Sequence, residues 1–373
     1  MSIHRRQFLQ LSCAAMAMSV AAASGVALAP RGQRLLVSGY RDQATETQFG
    51  ILVVDTEGQI KADFRVPERV HIADLYPSEP SVLVNSRAPG APLRRYDFAG
   101  QLQAHLPVPK DMHLEGHAVF SHNGQVLYAS ASDYRRGEGR LLVIDAQRLT
   151  LLDIWTTHGV GPHELVMQGD DVYLANTGVR THPDSGRKAL NIDSMHSELV
   201  KLDGSTGKLL QRWASPKQAL SARHLDVLAD GRVLVGCQYQ RKDARPPCIA
   251  IASAGSEQLQ LLEPDNDWLH WDMQGYTASV RAFPPTSARA GEAMISNPRG
   301  HLLSHWQGAT PALQDTQAMQ YAKGIALFGN QGWISAGAGE LWHWHNDELK
   351  PLSESVKTGI WWENHLHGRV LAV

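Results

Sequence analysis

The sequence predicts an all-β protein, a seven-bladed β-propeller with a ring closed by N-terminal strands joining the C-terminal strand. Three observations carry the propeller reading. First, short apolar runs at 34–39, 50–55, 81–85, 126–130, 141–145 and 233–238 alternate with turn pairs such as Glu57-Gly58, Asn123-Gly124, Asp203-Gly204 and Asp230-Gly231. That is the pattern of antiparallel strands joined by tight turns, and no stretch sustains a capped helical period. Second, histidine-led strand starts recur at Val70-His71-Ile72, Gly116-His117-Ala118, Pro162-His163-Glu164 and Arg223-His224-Leu225, spaced by 46, 46 and 61 residues. Gly275-Tyr276-Thr277, Lys323-Gly324-Ile325 and Asn364-His365-Leu366 continue the series, giving seven units of about 45 residues and about four strands each. Third, the last start leaves too little chain for a blade, so residues 34–66 are expected to supply the missing strands and spare the sheet its open edges. A pair of β-sandwiches would not explain the 46-residue phase.

In chain order, the first element is a leader. Arg5 and Arg6 precede Phe8-Leu9 and an alanine-rich apolar run to Ala29, the pattern of a twin-arginine export signal. We expect a signal over residues 1–29, cleaved near 23 or 29, and a single propeller domain over 30–373 in the periplasm. The run is too rich in Ala, Ser and Gly to serve as a permanent membrane span, so the mature form is expected to lack a transmembrane anchor. Of 35 basic and 37 acidic side chains, removal of Arg5 and Arg6 leaves 33 against 37. This acidic balance argues against a nucleic-acid partner.

The histidine starts are the first candidate site. His71, His117, His163, His224 and His365 would converge at the channel mouth, where neutral imidazoles could bind Fe, Cu or Zn. The competing reading is a structural histidine kept in each blade by the repeat. Neither His-Glu-x-x-His nor paired Cys-x-x-Cys is present.

The second candidate is the polar insertion that lengthens the third spacing. Arg180, Arg187 and Lys188 could hold a carboxylate or phosphate, while Asp184, Asn191 and Asp193 could hold a hard cation. The alternative is an ordinary solvated loop, since Asp-Ser-Gly is a common turn. If the insertion overlies the channel face, Arg180, His182, Arg187 and Asn191 should lie near several of His117, His163 and His224. Other groupings carry weaker signals: His343-x-His345 alternates on one strand face, and Glu164, Asn176 and Asp193 could supply acidic and amide ligands. No serine sits in Gly-x-Ser-x-Gly.

Cys237 and Cys248 are the only cysteines past the leader and flank a connection between adjacent strands. In an oxidising compartment they are expected to form a disulfide, with two free thiols as the alternative if the strand register holds them apart.

Together, Gly-His-Ala-Val-Phe-Ser at 116–121, Gly-Pro-His-Glu-Leu at 161–165, the run from Asn176 to Arg187, Leu-Asn-Ile-Asp-Ser-Met at 190–195, Arg-His-Leu at 223–225 and Gly-Cys-Gln-Tyr-Gln at 236–240 resemble the bacterial domain-of-unknown-function 1513 family. The resemblance implies an exported seven-bladed propeller of the quinoprotein amine-dehydrogenase-like type. It also implies a setting beside imelysin-like and di-haem thiol-oxidoreductase-like periplasmic proteins, suggestive of iron acquisition. The function expected is therefore a periplasmic binding or accessory propeller associated with iron or another metal. The alternative is a metal-dependent redox or hydrolytic enzyme with its site at the channel mouth.

Overall fold

The computed structural model describes residues 32–263, 269–307, 312–353 and 356–372. The leader with Arg5 and Arg6, and its cleavage sites, lie outside the described residues.

Seven antiparallel sheets make up the described residues. Six are four-stranded blades whose inner strands are Val70–Leu75, Met112–Phe120, Pro162–Gln168, Leu220–Val227, Ser279–Ala282 and Ile325–Phe328. We number these blades 1 to 6. In blade 7 the C-terminal strands Ile360–Trp362 and His367–Ala372 both pair with Gly32–Asp42, and Phe49–Asp55 and Ile60–Val66 complete the sheet. The register runs from Gly32 opposite Ala372 to Val37 opposite His367, then from Tyr40 opposite Trp362 to Asp42 opposite Ile360. The expected closure is therefore present.

The apolar periodicity of the strands becomes packing between neighbouring blades. Each interface has its own buried cluster: Leu83, Leu93, Phe120 and Ile144 between blades 1 and 2, for example, and Leu36, Trp333, Leu341 and Trp362 between blades 6 and 7. The late tryptophans belong to this role, with Trp333, Trp344 and Trp362 buried. Near the channel, side-chain hydrogen bonds stitch the blades across their seams. Asn85 Nδ2 donates to the His117 carbonyl at 3.2 Å, Ser221 Oγ to the Thr177 carbonyl at 3.0 Å, and Gln238 Nε2 to the Thr277 carbonyl at 2.9 Å.

Why two starts lack histidine is visible at blade 6. A Cβ on Gly324 would sit 2.1 Å from the Leu366 backbone nitrogen, so the close approach of blades 6 and 7 excludes any side chain there. The neighbouring Lys323 instead reaches across the seam and donates to the Trp362 carbonyl.

A buried ion pair fastens the closing strand to blade 1. Asp74 lies 3.3 Å from Arg369 Nη2 and 3.6 Å from His367 Nδ1, and accepts the Leu75 N–H at 2.8 Å. Burial acts to raise the Asp74 pKa, but Arg369, His367 and the Leu75 N–H together outweigh it and bring it down to about 2.

The expected disulfide is not formed: Cys237 and Cys248 are free, buried thiols in the core between blades 3 and 4. The two residues face each other across a hydrogen-bonded pair, with the Cys237 N–H donating to the Cys248 carbonyl at 2.7 Å. Such a pair holds its Cβ atoms roughly 5 Å apart, beyond the ~3.5–4.5 Å that a disulfide spans. The Cys248 thiol donates to the Pro246 carbonyl at 3.3 Å instead. Burial raises both thiol pKa values, that of Cys248 to about 12.

Two predictions follow from this packing. A depressed carboxylate stabilises the fold above its unfolded pKa and loses that contribution as pH falls through its folded value, so Asp74 contributes about 2 kcal/mol at pH 7 that fades between about pH 4 and pH 2. Urea unfolding of Asp74→Asn should show that deficit at pH 7 and a narrowing gap to the wild type at pH 3; an unchanged gap would assign the cost to packing alone. For the cysteines, a thiol reagent should find no reactive group in the folded protein and two after unfolding without reductant. Absence of both thiols from the unfolded chain would restore the disulfide.

Candidate metal centre

Each blade's inner strand begins near the channel, and at four of them the ladder is interrupted where the histidine stands. Register shifts fall between Val70 and Ile72, Leu114 and Ala118, Pro162 and Leu165, and Ala222 and His224. A bulge places an extra residue in the strand and re-aims side chains that strict alternation would send into the blade interface. Gly116 shows how tight the result is: it has φ +95°, and a Cβ there would meet His71 Cδ2 at 2.3 Å.

The four bulges, with the break between Ile360–Trp362 and His367–Ala372 that carries His365, bring all five predicted histidines together. Ring centroids of His117 and His163 are 4.5 Å apart, those of His117 and His365 4.6 Å, and those of His163 and His224 5.2 Å. Two groups of donor atoms, each within 4.8 Å of one another, share His117. One comprises His117, Glu164, His224 and His365, and the other His71, His117 and His163. His71 Nε2 and His117 Nε2 are 3.0 Å apart, which allows one N–H to donate to the other ring. Two ligands at right angles and about 2.1 Å from one ion would also be separated by about 3.0 Å.

Glu164, a weaker candidate of the sequence alongside Asn176 and Asp193, is the carboxylate of this centre. It follows His163 within the bulge, accepts from His224 Nδ1 at 2.8 Å and from Arg281 Nη1 at 2.9 Å, and is buried. Burial opposes its charge, but Arg281 and then His224 hold it well below the usual carboxylate range. The histidines shift the same way for different reasons. Burial first, then the positive charge of neighbouring imidazoles and arginines, pushes His71, His117, His163 and His365 well below the usual imidazole range. His224 is also lowered by burial, although Glu164 resists the shift. The centre is thus a set of neutral imidazoles around one carboxylate, the protonation state that metal ligation requires.

Two of these rings are not satisfied by protein. His163 Nδ1, and both ring nitrogens of His365, are buried without a hydrogen-bond partner. Each such group costs about 1–3 kcal/mol when nothing occupies its lone pair or N–H. The residues present fit a borderline transition ion held by nitrogen and oxygen; the only described cysteines are elsewhere, in the blade 3 and 4 core.

The insertion leaves blade 3 at the same end of the channel, because Asn176 pairs with Pro162 at the mouth. Val179 and Met195, with Ala189 and Ile192 partly buried, pin it against Ala219 and Tyr239. Only part of it reaches the site. Thr181, Arg187 and Ala189 join His71, His163, His224 and His365 in the wall of a cavity of about 330 Å³. His182 lines a smaller side chamber with Arg187, His113 and Glu115.

The proposed cation ligands of the insertion do not come together. Asp184 points out with its side chain 90% exposed, 3.5 Å from His182, and Asp193 is 94% exposed and pairs with Arg241 at 2.6 Å. Asn191 is spent on the backbone, accepting the Arg180 N–H at 2.7 Å and donating to the Gly178 carbonyl at 2.8 Å. Arg180 lies against Gly137 of blade 2 and is not part of the cavity wall. The pairing of Arg180, His182 and Asn191 with the histidines is corrected accordingly: short polar side chains in a loop serve its own backbone first. Asn176 likewise donates to the Thr157 carbonyl at 2.8 Å. At the other proposed metal pair, His343 and His345 stack with centroids 5.9 Å apart and His343 Nε2 engages Gln331 at 2.8 Å, so the two do not converge on an ion.

Sequence reasoning missed four arginines of the wall: Arg69, Arg87, Arg223 and Arg299. Two of them flank the histidine starts directly, as Arg69-Val-His71 and Arg223-His224, and that juxtaposition was the available signal.

Among solved structures, the chain is similar to a hydrazine synthase of Kuenenia stuttgartiensis, with 12% identity, a TM-score of 0.59, and 90% of this chain and 100% of that one covered. It is also similar to a functionally unknown protein of Desulfotomaculum acetoxidans DSM 771, with 10% identity, a TM-score of 0.56, and coverage of 89% and 99%. The WD40 repeats of RRP9 match at 11% identity and a TM-score of 0.55, with coverage of 76% and 79%. At these identities the likeness speaks for the propeller fold alone. No curated protein matches the sequence. A family described as protein of unknown function, DUF1513, matches residues 64–369, and to this family the chain, with its histidine-led blades and closed ring, belongs.

Proposed function

We propose that this protein binds a transition-metal ion at the channel centre and serves as an exported binding or accessory propeller in the handling of iron or another such metal. One observation carries the reading: His365 is buried with neither ring nitrogen partnered, beside His117, Glu164 and His224 donors that lie within 4.8 Å of one another. A purely structural histidine would spend at least one nitrogen on the loops around it. The imidazole and carboxylate set suits Fe, Cu or Zn. Arg5-Arg6 and the apolar leader support residence in the periplasm, and the family setting points to imelysin-like or di-haem proteins as partners. A second reading, a metal-dependent redox or hydrolytic enzyme, draws support from the cavity that opens on the centre, which has room for an exogenous ligand.

Metal analysis of protein purified from its native compartment, followed by Co²⁺, Cu²⁺ and Zn²⁺ titration, tests the centre. We expect about one tightly bound equivalent, and at least a 100-fold loss of affinity in His365→Ala and Glu164→Gln with far-UV circular dichroism unchanged. Metal-free native protein that also takes up none of these ions would sink the proposal. Turnover screens on the loaded protein then divide the two readings: activity lost in His365→Ala favours the enzyme, and capture of an imelysin-like partner without turnover favours the accessory role. For the leader, Arg5→Lys with Arg6→Lys should retain the full-length chain in the cytoplasm on fractionation. Continued appearance in the periplasm would overturn the twin-arginine route.

A further inference from the structure

The cavity above the histidines holds more positive charge than the protein neutralises. Five arginines line it, Arg69, Arg87, Arg187, Arg223 and Arg299, against two glutamates. Both glutamates are committed. Glu363 takes Arg69 through two bonds of 2.7 Å. Glu115 takes Arg87 at 2.7 Å, together with Ser132 Oγ at 2.7 Å and His113 Nε2 at 2.9 Å. Among the described residues, Arg187, Arg223 and Arg299 have no carboxylate within ion-pair distance.

Arg223 is half-buried in the cavity wall, and Arg187 and Arg299 line the same cavity from its exposed rim. Arg223 Nε is buried without a hydrogen-bond partner, beside His224. Burial, followed by repulsion from Arg87, brings the Arg223 pKa down to about 10, and Arg187 is lowered by burial and then by Arg87 and Arg69. Arg299 is oriented by stacking over Tyr276, its guanidinium carbon 4.2 Å from the ring centroid. A second cavity of about 290 Å³ shares Tyr276, Arg299 and Asn364 with the first. Concentrating three unpaired guanidinium groups in a recess costs stability unless an anion completes the charge balance, and the arginine fork matches carboxylate and phosphate oxygens.

We infer that this vestibule is a binding site for a small, multiply charged oxyanion, held by Arg187, Arg223 and Arg299 over the histidine centre. The site stands on the arginines and does not require the metal, although an anion seated there would present oxygen to an ion held below. Carboxylate and phosphate share the chemistry, and the test separates them.

Calorimetric titration of the purified protein with citrate and with pyrophosphate, before and after chelator treatment, measures the site directly. At least one probe should saturate with a sub-millimolar Kd that weakens as salt is raised. Arg187→Gln and Arg299→Gln should each weaken it about tenfold or more, whereas Arg148→Gln on the outer surface should leave it unchanged. Arg187 belongs to the insertion and Arg299 to a turn, so neither substitution opens a blade core. Saturation by citrate alone assigns a carboxylate ligand, and by pyrophosphate alone a phosphate ligand. Failure of both probes to bind, or equal binding by wild type and Arg187→Gln, overturns the inference. Metal content measured in the same samples keeps the two proposals apart. Anion binding without metal uptake leaves this site standing and removes the metal reading, and metal uptake without anion binding does the reverse.

Discussion

Backbone pairing between Gly32–Asp42 and the two C-terminal strands is the constraint on which the rest depends. Without it, the flanks of blades 6 and 1 would lose their cover, and two of the seven interface clusters would be opened. Closure also places His365 opposite the other histidines, and it carries Arg369 and His367 to Asp74. The C-terminal segment therefore supplies the seam of the ring, an imidazole of the centre and the cations that keep a buried carboxylate ionised.

The centre illustrates how a repeat becomes asymmetric. Blades 1, 2, 3, 4 and 7 each contribute an imidazole, whereas blade 6 gives way at Gly324 because Leu366 is too close, and blade 5 carries Tyr276 at its start. The histidines therefore form an arc, with Glu164 and Arg281 as the charged pair on which His224 rests. Above the arc, His71, His163, His224 and His365 share one cavity wall with five arginines.

Much of this was legible in the sequence, for a physical reason. Propeller blades repeat because each must bury two faces against identical neighbours, so the 46-residue phase between His71, His117 and His163 carried both the fold and the converging imidazoles. What escaped was chemistry that does not repeat. Glu164 carries only a weak signal as a ligand beside Asn176 and Asp193, and it is the bulge at Pro162–Leu165 that sets it beside His224 instead. Arg69 and Arg223 read as rim solvation, because charge at a strand start is ordinarily exposed. In the insertion the error ran the other way: Asn191 fastens the loop's backbone, and Asp193 pairs outward with Arg241, leaving Arg187 as the charged side chain of the loop that turns inward. Cys237 and Cys248 were rightly placed on facing strands, but which kind of facing pair they form depends on register, and sequence spacing does not encode it.

The arc of ligands has a temporal side as well. Its members run from His71 to His365, so 294 residues of chain separate the first from the last. A growing polypeptide emerging from the ribosome could display His71, His117, His163 and His224 in succession, yet it would lack the imidazole whose two nitrogens have no protein partner until the final blade is translated and docked. Occupancy of the centre would thus report on completed synthesis. A chain stalled or clipped before blade 7 would leave the ribosome with the vestibule's arginines but without the full donor set, and so would be chemically distinguishable from the finished ring.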